Sequence, residues 1–306
     1  MKAKLKPLAA SLLLVSLFGS PITSWAAEST ESGLSADEMI IDAPATAIKK
    51  SSTSDHAPAR LAIIIDDLGN SLKSGLNAIA LPAPITFAVM PHRKHSKLLA
   101  ERAGRLGRDV LLHAPMSTVN GLKLGAGALS EDLGEQVFKD KLRFSIASTP
   151  FISGVNNHMG SQLTTRPQAM KWVMEVLEQE QLFFVDSRTH AKSIAYKTAE
   201  KMGLPTANRD IFLDHKITIP DIHVQFKKAL AIAKRYGSAI AIGHPHKATL
   251  KYLNHVLPQL EGTNVAIHSV SDLLEFGIQA RPNSARESRP AKVPSLDALV
   301  LSLQAQ

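Results

Sequence analysis

An α/β fold, a distorted (β/α) barrel of about seven strands, is what this sequence predicts. Three observations carry that expectation: apolar runs without polar alternation, helical patterns between them, and chemistry-bearing side chains where the runs end. An uninterrupted run such as Ile63-Ile64-Ile65 reads as a strand covered on both faces, which is the pattern of a parallel sheet. An open doubly wound sheet is the alternative. Repeated β/α units in one domain of this length favour the barrel.

The chain of 306 residues opens with Lys2, Lys4 and Lys6, an apolar stretch from Leu8 to Phe18, and then Pro21 and Ser24-Trp25-Ala26. Basic residues, a short apolar core and small residues before a cut form the pattern of a secretory signal peptide, so residues 1–26 are expected to be removed. The apolar core is short for a membrane span, and an uncleaved anchor is the alternative. Residues 27–57, rich in Ser, Thr, Ala and acids and without periodicity, read as a flexible linker. The domain is expected over residues 58–278, with no internal repeat. Residues 279–306 form a basic, Pro-punctuated tail ending in an apolar stretch, Leu296 to Leu303, suited to a short docking helix.

Within the domain the strand candidates are 61–66, 85–90, 109–113, 151–156, 182–186, 238–243 and 264–268, with a weaker one at 209–213. A helix is predicted over 221–236, where Ile222, Phe226, Leu230 and Ala233 recur at helical spacing between Pro220 and Gly237. Thr165-Arg166-Pro167-Gln168 resembles a capping box ahead of Trp172, Val173 and Leu177. Gly121, Gly125 and Gly127 lack phosphate-loop spacing and mark a flexible loop after the third strand.

Composition narrows the setting. There is no cysteine, so the domain is stabilised by packing and not by disulfides. The formal charge of +8 falls to +5 without the three leader lysines, and no cluster of Lys and Arg with interleaved aromatics marks a nucleic-acid binder. A mildly basic surface suits anionic polymers of a cell envelope, the expected location being periplasmic or secreted. No membrane span is expected after leader removal.

The polar residues capable of chemistry stand at predicted strand ends, where (β/α) barrels build their sites. The first strand ends on Asp66-Asp67-Leu68-Gly69, the third on His113-Ala114-Pro115-Met116, and the fourth on Asn156-Asn157-His158. The fifth ends on Asp186-Ser187-Arg188 and a later one on Gly243-His244-Pro245-His246. Adjacent side chains of a strand point to opposite faces, so Asp66 and Asp67 converge only if the backbone leaves the strand, which Gly69 permits. One carboxylate with two imidazoles is a common zinc set that leaves a position open for water, and Asp67, His113 and His158 can form it. His92, His95, His190, His215, His223, His255 and His268 lack matching partners.

The ordered set Ile64 to Gly69, His113 to Met116, Asn156 to Ser161, Phe184 to Thr189, Arg209 to Asp214 and Ile242 to Pro245 resembles the divergent polysaccharide deacetylases, relatives of NodB-type carbohydrate esterases. The resemblance covers roughly residues 60–276. It implies a NodB-like distorted barrel, a divalent metal, usually zinc, and removal of acetyl groups from N-acetylated sugars. It places the base on Asp66 and a metal ligand on Asp67, with His113 as the first histidine of a His-x-x-x-His motif. Four residues later stands Ser117, a poor zinc ligand, and His158 is taken as the replacement.

The expected reaction is amide hydrolysis by metal-activated water, with Asp66 as general base and His244, or else His246, as the acid for the leaving amine. Asp186 would orient a histidine, Arg188 would set the charge of Asp186 or touch substrate, and the two could equally form a structural ion pair at the rim. Asn157 is a candidate for substrate binding or support, and Asn156 and Asn157 could instead hold backbone turns. The expected partner is an N-acetylated glycan such as peptidoglycan. A noncatalytic glycan-binding or cell-envelope scaffold protein that retains the deacetylase fold, or a glycosidase pairing Asp66 with Asp186 or Asp214, are the other classes.

Overall fold

The computed structural model describes residues 57–275. The expected signal peptide, most of the expected linker and the basic tail lie outside the described residues. The strands are β1 (Ala59–Leu68), β2 (Thr86–Val89), β3 (Val110–Met116), β4 (Ile152–Met159), β5 (Phe183–Asp186), β6 (Thr206–Asn208), β7 (Ile211–Phe212), β8 (Ser238–Gly243) and β9 (Val265–His268). The helices are α1 (Leu72–Ile79), α2 (Ser96–Arg105), α3 (Glu135–Ala147), α4 (Pro167–Gln179), α5 (Ala195–Lys201), α6 (Ile219–Tyr236), α7 (Lys247–Val256) and α8 (Val270–Glu275).

All strand pairs are parallel, in the order β6-β5-β4-β3-β2-β1-β8-β7. The two ends of that order are joined by only Arg209 and Asp210. The Arg209 amide donates to Asp186 O at 2.9 Å, continuing the β5 ladder, and the Asp210 amide donates to Ile240 O at 2.9 Å, starting the β8 ladder. One crossing strand thus closes the curled sheet by pairing first with β5 and then with β8. The weak candidate at 209–213 holds β7, and the β6 half of the crossing strand precedes it. Counting β6 and β7 as one stave and β9 as an insert beside the first half of β1, the wall has seven staves.

Strand alternation sorts the apolar residues into layers. Leu61, Ile63 and Ile65 point outward into the packing with the helices, where Phe226 and Leu253 also lie. Ala62 and Ile64 point inward and meet Leu111, Val185, Ala207, Ile240 and Ile242 inside the barrel. Val270 and Leu273 of α8 join this inner cluster and close the end at which the strands begin. There Asp109 accepts from the Ser271 amide and hydroxyl and from Thr86 Oγ1. The other end stays open.

The long helix α6 starts at Ile219, two residues before the predicted start, because Thr218 caps it through Oγ1 to the Asp221 amide and Pro220 fits the first turn. It stops at Gly237, whose φ of 82° is the left-handed conformation that glycine adopts without strain. The capping box expected at Thr165 is not formed. Thr165 lies in a 3₁₀ turn and donates its hydroxyl to Gln162 O, while Arg166 takes the cap position without a side-chain bond.

Candidate functional site

Apart from β2, where Ala88 leads to Met90, each inward-facing column of the barrel ends at its open rim in a polar residue. Ala62 and Ile64 lead to Asp66, Leu111 to His113, Gly154 to Asn156 and His158, Val185 to Ser187, Ala207 to Arg209, and Ile242 to His244. Period-two alternation therefore delivers one layer of functional groups above one layer of apolar ones. Asp67 is the exception, since regular alternation would point it outward. Its own backbone turns left-handed, φ 62°, at an irregularity of the β1–β2 pairing between Ile65 and Leu68. The departure from the strand thus occurs at Asp67 itself, ahead of Gly69, and it costs on the order of 1 kcal/mol for a non-glycine residue.

Three atoms converge there. Asp67 Oδ1 lies 3.2 Å from His113 Nε2 and 3.0 Å from His158 Nδ1, and the two nitrogens are 3.1 Å apart. Despite these distances Asp67 Oδ1 is buried with no hydrogen bond of proper alignment. Convergent acceptors around a common point, and not a chain of donors and acceptors, are what a cation requires. Tetrahedral zinc bonded at about 2.0–2.1 Å would hold its ligands about 3.3 Å apart, close to the triangle observed. The residues fit a divalent metal of that size.

His158 reaches this point because of register. β3 and β4 pair His113 with Asn156 and Pro115 with His158, so the second imidazole comes from the neighbouring strand. Ser117, four residues after His113, instead lines a separate cleft with Thr118, Lys123 and Gln162.

Asn156 organises the layer. Its Nδ2 donates to Asp66 Oδ1 at 2.8 Å and stands 3.3 Å from Ser187 Oγ, which leaves Oδ1 to accept from His113 Nδ1 at 2.7 Å. A proton on His113 Nδ1 directs the Nε2 lone pair of the neutral ring toward Asp67 and His158, the tautomer a metal ligand needs. Asn157, by contrast, serves the backbone: it donates to Met159 O at 2.7 Å and accepts from the Ser187 amide at 2.9 Å. Asn157 lines the site pocket while it holds these backbone groups, and Asn156, turned inward by alternation, supports Asp66 and His113.

His244 is set by Asp214. Its Nδ1 is 3.0 Å from Asp214 Oδ1, its amide donates to Asp214 Oδ2 at 2.7 Å, and Thr249 Oγ1 donates to the same oxygen at 2.7 Å. His244 Nε2 faces the centre, 3.9 Å from Asp67 Oδ2. Asp186 does not orient a histidine. It points to the outside of the barrel, where it accepts from the Arg188 amide, Ser193 Oγ and the Tyr196 amide at the start of α5. Asp214 was visible in sequence only as a strand-end acid; nothing there paired it with His244. Asp214, His244 and His246 also lie close together, but the Asp214 oxygens already accept donors, so this is an acid–imidazole dyad.

The electrostatics follow from burial and neighbours. Burial pushes the Asp66 carboxyl up, against the opposing pull of His113 and His244. Burial has the same tendency at Asp67, but the two imidazoles beside it outweigh it and hold the carboxyl well below the usual range. Burial disfavours the His113 cation, yet Asp66 and Asp67 prevail and raise its pKa to about 9. His244 is likewise raised: burial opposes, and Asp214 and Asp66 overcome it.

These groups line a pocket of about 490 Å³ together with Arg188, Arg209, Phe212 and Ile242. Arg188 is exposed at its rim, and Arg209 was not singled out by sequence as a site residue. His246 caps α7 beside His244, its ring 5.7 Å away. A second cleft of about 500 Å³, at the end of the barrel where the strands begin, is lined by Leu177, Phe183, Leu204 and Leu274 and holds no histidine.

Residues 63–274 match the family model of the divergent polysaccharide deacetylases. An uncharacterized protein of Haemophilus influenzae is 38% identical over 204 residues, 67% of this chain and 73% of that one. The uncharacterized protein YibQ of Escherichia coli K12 is 35% identical over 215 residues, 70% of this chain and 67% of that one. Among solved structures, an uncharacterized protein of Agrobacterium tumefaciens C58 superposes with a TM-score of 0.69 at 25% identity, covering 72% of this chain and 91% of that one.

Proposed function

The chain belongs to the divergent polysaccharide deacetylase family, and from that premise we propose that it is an exported, metal-dependent hydrolase that removes acetyl groups from an N-acetylated polysaccharide of the cell envelope. One observation carries the reading: the Asp67–His113–His158 triangle shares a single pocket with a buried carboxylate, Asp66, and a carboxylate-supported imidazole, His244. Asp67, His113 and His158 would hold a divalent cation, with zinc the natural choice for one oxygen and two nitrogens. Bound there, such a cation supplies Lewis acidity, polarising an acetyl carbonyl and acidifying water.

The chain's own residues do the rest. Asp66, positioned by the Asn156 amide and sheltered from solvent, accepts a proton from the attacking water. Its raised pKa makes it a better base than a solvated carboxylate. His244, kept cationic by Asp214 and Asp66, holds its Nδ1 proton on Asp214 and presents Nε2–H to the departing amine. Protonating that nitrogen as the C–N bond breaks yields acetate and a free amino sugar. The leader-like sequence pattern of residues 1–26 supports a periplasmic or secreted site of action, and an envelope glycan such as peptidoglycan is the fitting substrate class. No helix among the described residues is long and apolar enough to cross a membrane.

The glycosidase pairs of Asp66 with Asp186 or Asp214 are not supported, because Asp186 faces away and Asp214 is engaged by His244 and Thr249, while Asp67 belongs to the metal triangle. The deciding experiment measures metal content and acetate release from N-acetylated glycan for the wild type, His113→Ala and His158→Ala. Near one equivalent of metal and acetate release, both lost in each variant, is the expected result. Acetate release that survives chelation would refute the metal mechanism. Tight glycan binding with a metal present and no acetate released would make the protein a glycan binder.

A further inference from the structure

Two arginines in the pocket have no part in the hydrolytic chemistry. Arg209 sits where the chain crosses from β6 to β7, and its Nε and Nη2 donate to Ser187 O and Arg188 O at 2.7 and 2.9 Å. Its guanidinium carbon lies 5.4 Å from the centre of the Phe212 ring. The group is held in place before any ligand arrives, and the carbonyls that hold it carry no compensating charge. Arg188 is exposed at the rim on a left-handed backbone, φ 48°, a conformation few arginines adopt. Neither guanidinium makes an ion pair among the described residues. Asp186, the nearest acid in sequence, spends its oxygens on the Arg188 and Tyr196 amides and the Ser193 hydroxyl.

Two like charges thus line the pocket that holds the metal-binding triangle, without a bridging carboxylate. Burial first, and then Arg188, depress the Arg209 pKa against the smaller opposing pull of Asp186 and Asp66, and a bound anion would act in the same direction as those carboxylates. Asp66 and Asp67 line the same pocket, so a monoanion is better tolerated than a dianion. Resting on the deacetylase reading for the kind of glycan, we propose that Arg188 and Arg209 receive a carboxylate carried by the sugar chain, making the preferred substrate an acidic N-acetylated glycan and not a neutral one. Arg209 is the preorganised half of this subsite and Arg188 the outer half, and both engage the anion through charge-assisted hydrogen bonds.

The test is equilibrium binding of the metal-loaded full chain to three matched tetrasaccharides. The first alternates N-acetylglucosamine with N-acetylmuramic acid and has free carboxylates; the second is its carboxyl-reduced form; the third is N-acetylglucosamine tetrasaccharide with one 6-phosphate. The carboxylated chain should bind at least about tenfold more tightly than the reduced one, with the margin shrinking as salt rises. In Arg188→Asn, where asparagine tolerates the left-handed backbone, that margin should fall toward unity. Equal affinity for the first two ligands, a margin unchanged in Arg188→Asn, or a preference for the phosphorylated ligand would each overturn the inference. Acetate release is scored separately. A charge preference without acetate release would fail the deacetylase reading alone, and acetate release without charge preference would fail this inference alone.

Discussion

Cation binding should be proton-linked through His113, and the structure gives the size of the effect. In the metal-free protein Asp66 and Asp67 hold the His113 pKa at about 9, so at pH 7 the ring is almost entirely protonated. Its Nε2 must lose that proton before it can donate a lone pair. Because two pH units separate 7 from 9, protonation weakens apparent affinity about a hundredfold at pH 7, or about 2.7 kcal/mol at 1.36 kcal/mol per unit. Affinity for zinc should rise about tenfold between pH 7 and pH 8 and level off above pH 9, with about one proton released per cation. Titration calorimetry in buffers of different ionisation enthalpy measures both quantities. An affinity independent of pH over this range, or no released proton, would refute the assignment of His113 as a ligand held protonated by its two carboxylate neighbours.

Three further outcomes follow from the same geometry. Asn156→Ala removes the acceptor that fixes the His113 tautomer and the donor to Asp66, so zinc affinity should fall about 10- to 100-fold by competition with a chelating dye, with the fold retained by circular dichroism. The raised pKa of His113 means that metal-free protein gains stability below the unfolded value of about 6.5 and loses it as pH rises through about 9; its melting temperature should drop across that window, and metal loading should remove the drop. Phe226→Ala, in the packing between α6 and the barrel and with its ring 5.6 Å from that of Tyr252, should cost about 3–5 kcal/mol in denaturant unfolding while leaving metal stoichiometry unchanged; a loss below about 1 kcal/mol would contradict the burial seen there.

Much of the fold was legible locally. The unbroken apolar runs located the strands because parallel strands are covered on both faces, and the strand ends located Asp66, His113, His158 and His244 because barrels assemble sites at one rim. The helix boundary at Gly237 was equally plain, since a left-handed terminus selects for glycine. The capping box at Thr165 misled because a short polar pattern there competes with a 3₁₀ turn that only the preceding chain imposes.

By itself the sequence determined the class of fold, the rim that carries the chemistry and the residue types available there, because periodicity and composition are local properties. The tertiary structure alone decided which partners those residues meet. His158 becomes a neighbour of His113 through the register of β3 on β4, and Asp214 in place of Asp186 supports His244 because the crossing strand passes from β5 to β8 between them. Asn156 reaches Asp66 and His113 through the parity of β4, and Asp67 joins them through one left-handed residue. Register, parity and barrel closure are set by packing between segments distant in the chain, so no local pattern records them.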